Sequence, residues 1–267
     1  MKKYYLEPLF PYVQAVSYHN TPENMLSKMK EQMEWYRDNF VNCSFLDLKN
    51  LLEHGEWKYD KPGLIISFDD GLRSNFNVAL PLLEEYGFTG WFMVPSGWAD
   101  LNISDQIKFA KRRLIEHSVG DNLEPIALSW EDMQQIELRG HVITCHTMNH
   151  RRLSNKLTTL DLENEIEDSK SLLEFKLGHG VDIFTWVGGE EWAYCKKAFE
   201  KILGAGFKYV FCTNCAPITG KQTPFFLQRY HVEPDHTKNQ LRLTLGGFYD
   251  LLYLFKRKRI ENELTKK

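Results

Sequence analysis

The chain has 267 residues, a formal net charge of −3 and 43% hydrophobic residues, enough for one large α/β domain or two small ones. That charge argues against general nucleic-acid binding, and no run is long and apolar enough to span a membrane. The N-terminus Met1-Lys2-Lys3-Tyr4-Tyr5 lacks an apolar signal core, and the five cysteines are scattered, with Cys212-x-x-Cys215 the one close pair, so reduced thiols and a cytoplasmic location are expected.

Residues 1–20 are rich in aromatics and proline and are expected to lie across the rest of the domain. Asn20-Thr21-Pro22-Glu23 predicts a helix start, with Thr21 as N-cap and Pro22 at the first helical position. The helix should run to about Asn39 and bury Met25, Met29, Met33 and Tyr36 on one face. Phe45 to His54 reads as a second, short helix. Leu64-Ile65-Ile66-Ser67-Phe68 is apolar on both faces, as in a buried parallel strand, and ends in Asp69-Asp70-Gly71. A helix to Tyr86, closed by Gly87, and a strand over 88–94 follow. Residues 96–128 show no clear strand, and Lys108 to His117 has a basic, partly helical pattern. This stretch reads as an insertion over the active-site face, either a lid or a plain surface excursion.

Ser129-Trp130-Glu131-Asp132 is a capping box opening a helix that ends at Gly140. A second apolar stretch then ends in His146-Thr147-Met148-Asn149-His150. Thr158 to Leu177 predicts a long helix closed by Gly178. Strands are expected over 183–187, 208–213 and 225–232, with a helix from Cys195 to Leu203. Strands alternating with helices imply a parallel sheet, which places chemistry at the strands' carboxyl ends.

Two polar clusters sit at such ends. Asp69 and Asp70 diverge where the chain turns, so one carboxylate can bind a metal while the other acts as a base. The alternative is a turn at Asp70-Gly71 with Asp69 capping the next helix. His146 and His150, four apart, can face one point with Asp70. Two histidines and one carboxylate with open positions suit a catalytic divalent ion, Zn²⁺ foremost.

These clusters carry a resemblance. Ser67-Phe68-Asp69-Asp70-Gly71 resembles the first motif of the polysaccharide deacetylases (NodB-like, carbohydrate esterase family 4), with Ser for Thr. His146-Thr147-Met148-Asn149-His150 resembles the second, and the approach from Ser129 through Gly140-His141 and the lead-in Tyr18-His19 are also similar. The resemblance covers roughly residues 15–232 and implies an α/β fold, a distorted (β/α)7 barrel. One domain over 1–267 is expected, with a helical lead-in (1–60), a barrel core (61–235), and a C-terminal helix with a basic tail (236–267).

It also implies roles. Asp70, His146 and His150 would hold the metal, Asp69 would be the general base, and a neighbouring acid would protonate the leaving amine. The family's third motif, Arg-x-Pro-aromatic, is weakened here to Phe184-Thr185-Trp186-Val187-Gly188-Gly189, without Arg or Pro. Arg229, in Leu227-Gln228-Arg229-Tyr230-His231-Val232, is the candidate replacement for the charge that orients the base. His231 is the candidate general acid, on the same strand face as Arg229 by alternation. Thr147, His19, Trp186 and Gly188 are candidate substrate contacts. The implied activity is removal of acetyl from N-acetylated sugars of a surface polysaccharide or its lipid-linked precursor. The alternatives are a sugar O-deacetylase and a carbohydrate-binding protein of the same fold. Leucines and aromatics from Leu241 to Leu254, followed by Lys256-Arg257-Lys258-Arg259, suit either a helix packed on the barrel or peripheral contact with a membrane's inner face.

Overall fold

In the computed structural model, which describes residues 11–117, 124–220 and 222–266, seven parallel strand positions close into a barrel. The strands are β1 (Tyr12–Tyr18), β2 (Gly63–Phe68), β3 (Gly90–Val94), β4 (Val142–Cys145), β5 (Ile183–Thr185), β6 (Tyr209–Cys212) and β7, which has two pieces, Leu227–Gln228 and Tyr230–His231. The break in β7 at Arg229 is what closes the ring. Leu227 and Gln228 pair with Phe211 and Cys212 of β6, whereas Tyr230 and His231 pair with Val16 and Ser17 of β1.

The first strand departs from expectation. Residues 12–18 do not lie across the domain; Val13 through Tyr18 pair in register with Gly63 through Phe68 as a central strand of the barrel. The division at residue 60 therefore cuts through the barrel's own strand order. Thr21 is a second correction. It does not cap the first helix; Pro22 precedes a short turn at Glu23–Met25, and the helix runs Leu26–Asn39. The Thr21 hydroxyl instead donates to Asn75 Oδ1 at 2.7 Å. The capping box at Ser129 and Asp132 forms as expected, as does the left-handed stop at Gly87.

Side-chain parity sorts the core into layers. Leu64, Ile66 and Phe68 pack outward among the surrounding helices, together with Val16, Phe92 and Cys145. Val13, Ala15, Ile65, Trp91, Met93, Ile183, Phe211 and Leu227 fill the inside. Leu48, Leu51 and Leu52 of the helix Phe45–His54 join this inner cluster and plug the barrel's amino end. Continuing the inward parity toward the carboxyl ends reaches Ser67, Asp69, Thr144, His146, Thr185 and Arg229, all buried. A polar layer thus lies on an apolar one, at the end opposite the plug.

The 96–128 stretch carries a helix at Ile103–Arg113 and a small core of Leu72, Trp98, Phe109, Ala110, Ile115 and Ala127. It is stitched to the chain just past Gly71: Leu128 N–H donates to the Gly71 carbonyl and Arg73 N–H to that of Ile126. Residues 118–123, within the expected insertion, lie outside the described residues, as do residues 1–10.

Candidate active site

Three of the five non-glycine residues with positive φ among the described residues belong to the two polar clusters: Asp70 (72°), Thr147 (65°) and His150 (50°). The left-handed region is tolerable for Asp but costly for β-branched Thr, so the surrounding structure must enforce it. Asp70 and Gly71 (φ 62°) turn the chain sharply off β2, which lets Asp69 stay with the inward parity while Asp70 swings away. The turn after β4 is held from two sides. Thr147 Oγ1 accepts from Arg151 N–H at 3.3 Å. Glu165, fully buried, accepts from Asn149 N–H at 2.8 Å and from Asn149 Nδ2 at 3.0 Å. Glu165 is a positioning residue that sequence reasoning missed, since a Glu within a helical run carries no local sign of burial.

These turns converge three ligand-type atoms. Asp70, His146 and His150 each offer one atom, and all lie within 4.8 Å of one another. His146 Nδ1 lies 3.0 Å from the Thr185 carbonyl. A carbonyl only accepts, so Nδ1 carries the proton and Nε2 presents a lone pair. That lone pair faces Asp70 Oδ1 at 3.8 Å. Burial foremost, with His150 and Arg229 adding to it against the pull of Asp69 and Asp70, holds the His146 pKa down to about 4, so the ring is neutral near pH 7. Asp70 Oδ1 is 2.9 Å from His150 Nε2, yet it is buried without a properly directed hydrogen bond. Burial acts to raise the Asp70 pKa, but His150, His19 and His146 outweigh it and keep the carboxylate ionised. A buried carboxylate oxygen with two imidazole nitrogens around it and no aligned donor fits a divalent cation.

Asp69 has a different environment. Arg229, wholly buried, grips both its oxygens, Nη2 to Oδ2 at 2.9 Å and Nη1 to Oδ1 at 2.5 Å. Arg229 Nη1 also donates to Ser67 Oγ at 3.0 Å, and that hydroxyl donates to the Val16 carbonyl at 2.7 Å. Burial raises the Asp69 pKa, but Arg229 and His146 more than reverse this, and the net shift is downward. The expected base and its expected cationic partner therefore meet in a forked pair.

His231 follows the parity argument. Tyr230 packs in the outer cluster and its neighbours face the other way, so Arg229 is buried inside while His231 stands at the open rim. Its ring lies 5.1 Å from that of His19, and its Nε2 is 2.6 Å from Glu233 Oε1. His19 in turn acts electrostatically on both Asp69 and Asp70.

Trp186 does not meet its expected role as a substrate contact. Its ring is fully buried against Phe184 and Tyr194, so it packs the wall and offers no face to a sugar. The aromatic ring exposed past this strand end is Trp192, 60% accessible, with Arg152 stacked over it at 5.6 Å. Gly188 (φ 78°) lies beside the Arg152–Glu190 pair. Its positive φ strains any other residue, and a Cβ there would also push on the movable ends of Glu190 (Oε2, 2.5 Å) and Arg152 (Nε, 2.8 Å). The Cys212-x-x-Cys215 thiols are free and buried, and burial raises both pKa values to about 12, so both are neutral thiols near pH 7.

Comparison with known proteins follows the same lines. Residues 58–210, more than half of the chain, match the family described as "Polysaccharide deacetylase". A Bacillus subtilis (strain 168) protein named "Putative polysaccharide deacetylase YxkH" is 24% identical over 220 residues, 82% of this chain and 69% of that protein. Two solved structures share the fold. The de-N-acetylase of Aggregatibacter actinomycetemcomitans has a TM-score of 0.70 at 15% identity, covering 88% of this chain and 100% of that one. The Streptococcus pyogenes deacetylase PplD has a TM-score of 0.69 at 18% identity, covering 88% and 98%.

Proposed function

We propose that this chain, which belongs to the polysaccharide deacetylase family and is a hydrolase of carbon–nitrogen bonds other than peptide bonds, is a metal-dependent sugar N-deacetylase. Its substrate would be an N-acetylated hexosamine in a surface polysaccharide or its lipid-linked precursor. The observation that carries this reading is the division of labour between adjacent carboxylates. Asp70 Oδ1 points without an aligned donor at His146 and His150, while Asp69 is locked by Arg229. That the de-N-acetylase of Aggregatibacter shares the fold is consistent with this choice.

Asp70, His146 and His150 would hold the ion, with His146 oriented by the Thr185 carbonyl. When bound, a divalent ion there, Zn²⁺ by its donor set, polarises a carbonyl and makes water more acidic. The remaining work falls to side chains. Asp69, kept ionised by Arg229, takes the proton of the attacking water, and the Arg229 fork fixes the direction in which its free lone pairs point. His231, oriented by Glu233, gives a proton to the leaving amine, and His19 beside it lines the approach. Thr147 serves the histidine turn, and Gly188, with its positive φ, turns the chain at the rim.

The test is acetate release from matched N-acetyl and O-acetyl hexosamine glycans and from a lipid-linked N-acetylhexosamine, with metal analysis of the same preparation. Stoichiometric divalent metal and a free amine on the product are expected, and His146→Ala should lose the metal with an unchanged far-UV spectrum. Release from O-acetyl substrates alone would overturn the N-deacetylase reading. Stoichiometric metal in His146→Ala would overturn the ligand set.

A further inference from the structure

The C-terminal segment has two faces, and only one is used in packing. It consists of the helices Lys238–Leu245, Phe248–Leu252 and Leu254–Thr265. Leu241, Leu245, Ile260 and Leu264 are buried against the barrel's helical layer, and Tyr249 and Tyr253 pack beside them. The helices do pack on the barrel, and this accounts for that face completely. The other face presents Phe248, Leu251, Leu252 and Phe255, at 58, 54, 62 and 69% exposure. These positions fall at i, i+3, i+4 and i+7 across two short helices, and the turn at Tyr253 between them keeps helical hydrogen bonds from Tyr253 N–H to Tyr249 and from Arg257 N–H to Tyr253, so the row carries over. Leu243 adds a further large side chain at 49% exposure. Scattered exposed leucines need no explanation, but two phenylalanines and two leucines in a single row do.

Charge is segregated to the same segment. The three helices, residues 238–265, contain six basic side chains, Lys238, Arg242, Lys256, Arg257, Lys258 and Arg259, against three carboxylates, Asp250, Glu261 and Glu263, in a chain of net charge −3. Asp250 is turned inward, accepting from Tyr230 Oη at 2.6 Å. Arg257 has a structural task. It donates to the carbonyls of Asn214 at 3.0 Å, Asp250 at 2.9 Å and Cys215. Arg259 pairs with Glu191 Oε1 at 2.7 Å. These two arginines bolt the last helix to the loops that leave β6 and β5 at their carboxyl ends, where the candidate site opens. Lys258 and Arg242 remain exposed.

We propose that this face docks on an anionic lipid bilayer. The apolar row would enter the headgroup–acyl boundary while Lys256, Lys258 and Arg242 meet anionic headgroups, the arrangement that holds peripheral amphipathic helices at interfaces. Charge complementarity chooses this occupant over a second copy of the chain, because two copies would bring Lys256, Lys258 and Arg242 against the same three residues. Docking does not depend on the deacetylase reading, and its test uses no substrate.

The experiment is co-sedimentation of the full chain with vesicles of phosphatidylcholine alone or mixed with phosphatidylglycerol, at low and high salt. Binding to the mixed vesicles at low salt is expected, with loss at high salt as screening shortens from ~30 Å at 0.01 M to ~3 Å at 1 M. Each basic side chain near the surface is worth roughly fivefold in partitioning. Reversal of two, Lys256→Glu with Lys258→Glu, should therefore cost on the order of 25-fold or more. Phe248→Ser with Phe255→Ser should weaken binding while the melting temperature stays near that of the parent, since neither ring packs inside. Equal binding to neutral and anionic vesicles, or none at low salt, overturns the proposal. So does a dimer in sedimentation equilibrium that the Phe→Ser pair dissolves, which would assign the face to a second copy.

Discussion

Asp69 and Arg229 show how one side chain decides the state of another. Breaking a buried ion pair from one side costs about 3–5 kcal/mol, because the remaining charge is stranded away from water. Both partners qualify, Arg229 being fully buried and Asp69 5% exposed. Asp69→Asn should therefore lower the melting temperature as well as activity. Below that temperature, we expect turnover to fall by roughly 10²- to 10⁴-fold with the metal retained. Near-normal turnover would remove Asp69 as the base. Arg229→Gln gives the complementary test. Burial pushes the Asp69 pKa up and Arg229 with His146 pushes it down. Without the guanidinium the upward push gains, Asp69 stays protonated to a higher pH, and the acid limb of kcat/KM should move up relative to the parent. An unmoved limb would leave Arg229 a structural partner only. The pair was legible through the resemblance, as the substitute for the arginine missing from the third motif, but Ser67, which ties Arg229 to the Val16 carbonyl, was visible only as a departure from Thr.

At the scale of elements, the histidine turn depends on the helical run that follows it. The helix Thr159–Leu162 continues through a π-helical stretch, Glu163–Asp168, into Ser169–Leu177. That run delivers Glu165 to Asn149, and so clamps the turn between His146 and His150. Glu165→Ala should lower the protein's affinity for Zn²⁺ by roughly 10- to 100-fold in a metal titration, with Glu165→Gln, which keeps an acceptor, losing less. Unchanged affinity in the Ala variant would show that Thr147 alone sets the turn. The elements that sequence reading found were those whose signals are local: the Ser129 capping box, the glycine stops and the continuous apolar run of β2. The strand it missed, β1, has non-local partners. Gln14 Nε2 donates to the Leu245 carbonyl at 2.8 Å, and Tyr18 Oη donates to Gln32 Oε1 at 2.7 Å. Polar residues satisfied so far along the chain make a buried strand look like a loop. Thr21 misled for the same reason, since its hydroxyl serves Asn75 and not its own helix.

Across the whole molecule, the apolar plug and the candidate site occupy opposite ends of the barrel, so a titratable group at the plug end can be tested apart from the chemistry. His141 enters at the amino end of β4, where its Nδ1 accepts the Gly90 N–H of β3 at 2.8 Å. It can accept there only as neutral imidazole. Burial lowers its pKa more than Glu84, at 3.6 Å, raises it. The folded state thus binds this proton more weakly than the unfolded chain, whose histidine titrates near ~6.5. Between the two pKa values the unfolded state holds more protons, so stability rises with pH there. This contribution is complete above about pH 6.5–7 and is lost as pH falls, at no more than ~1.4 kcal/mol per pH unit for one proton. His146 adds a slope of the same sign in metal-free protein, so the comparison must be between variants. Chemical denaturation of metal-free His141→Asn and parent from pH 7.5 to 5 should give a shallower loss of stability in the variant. Parallel curves would mean that His141 keeps its strand contact in either protonation state, and that the acid sensitivity of the barrel resides at the site end alone.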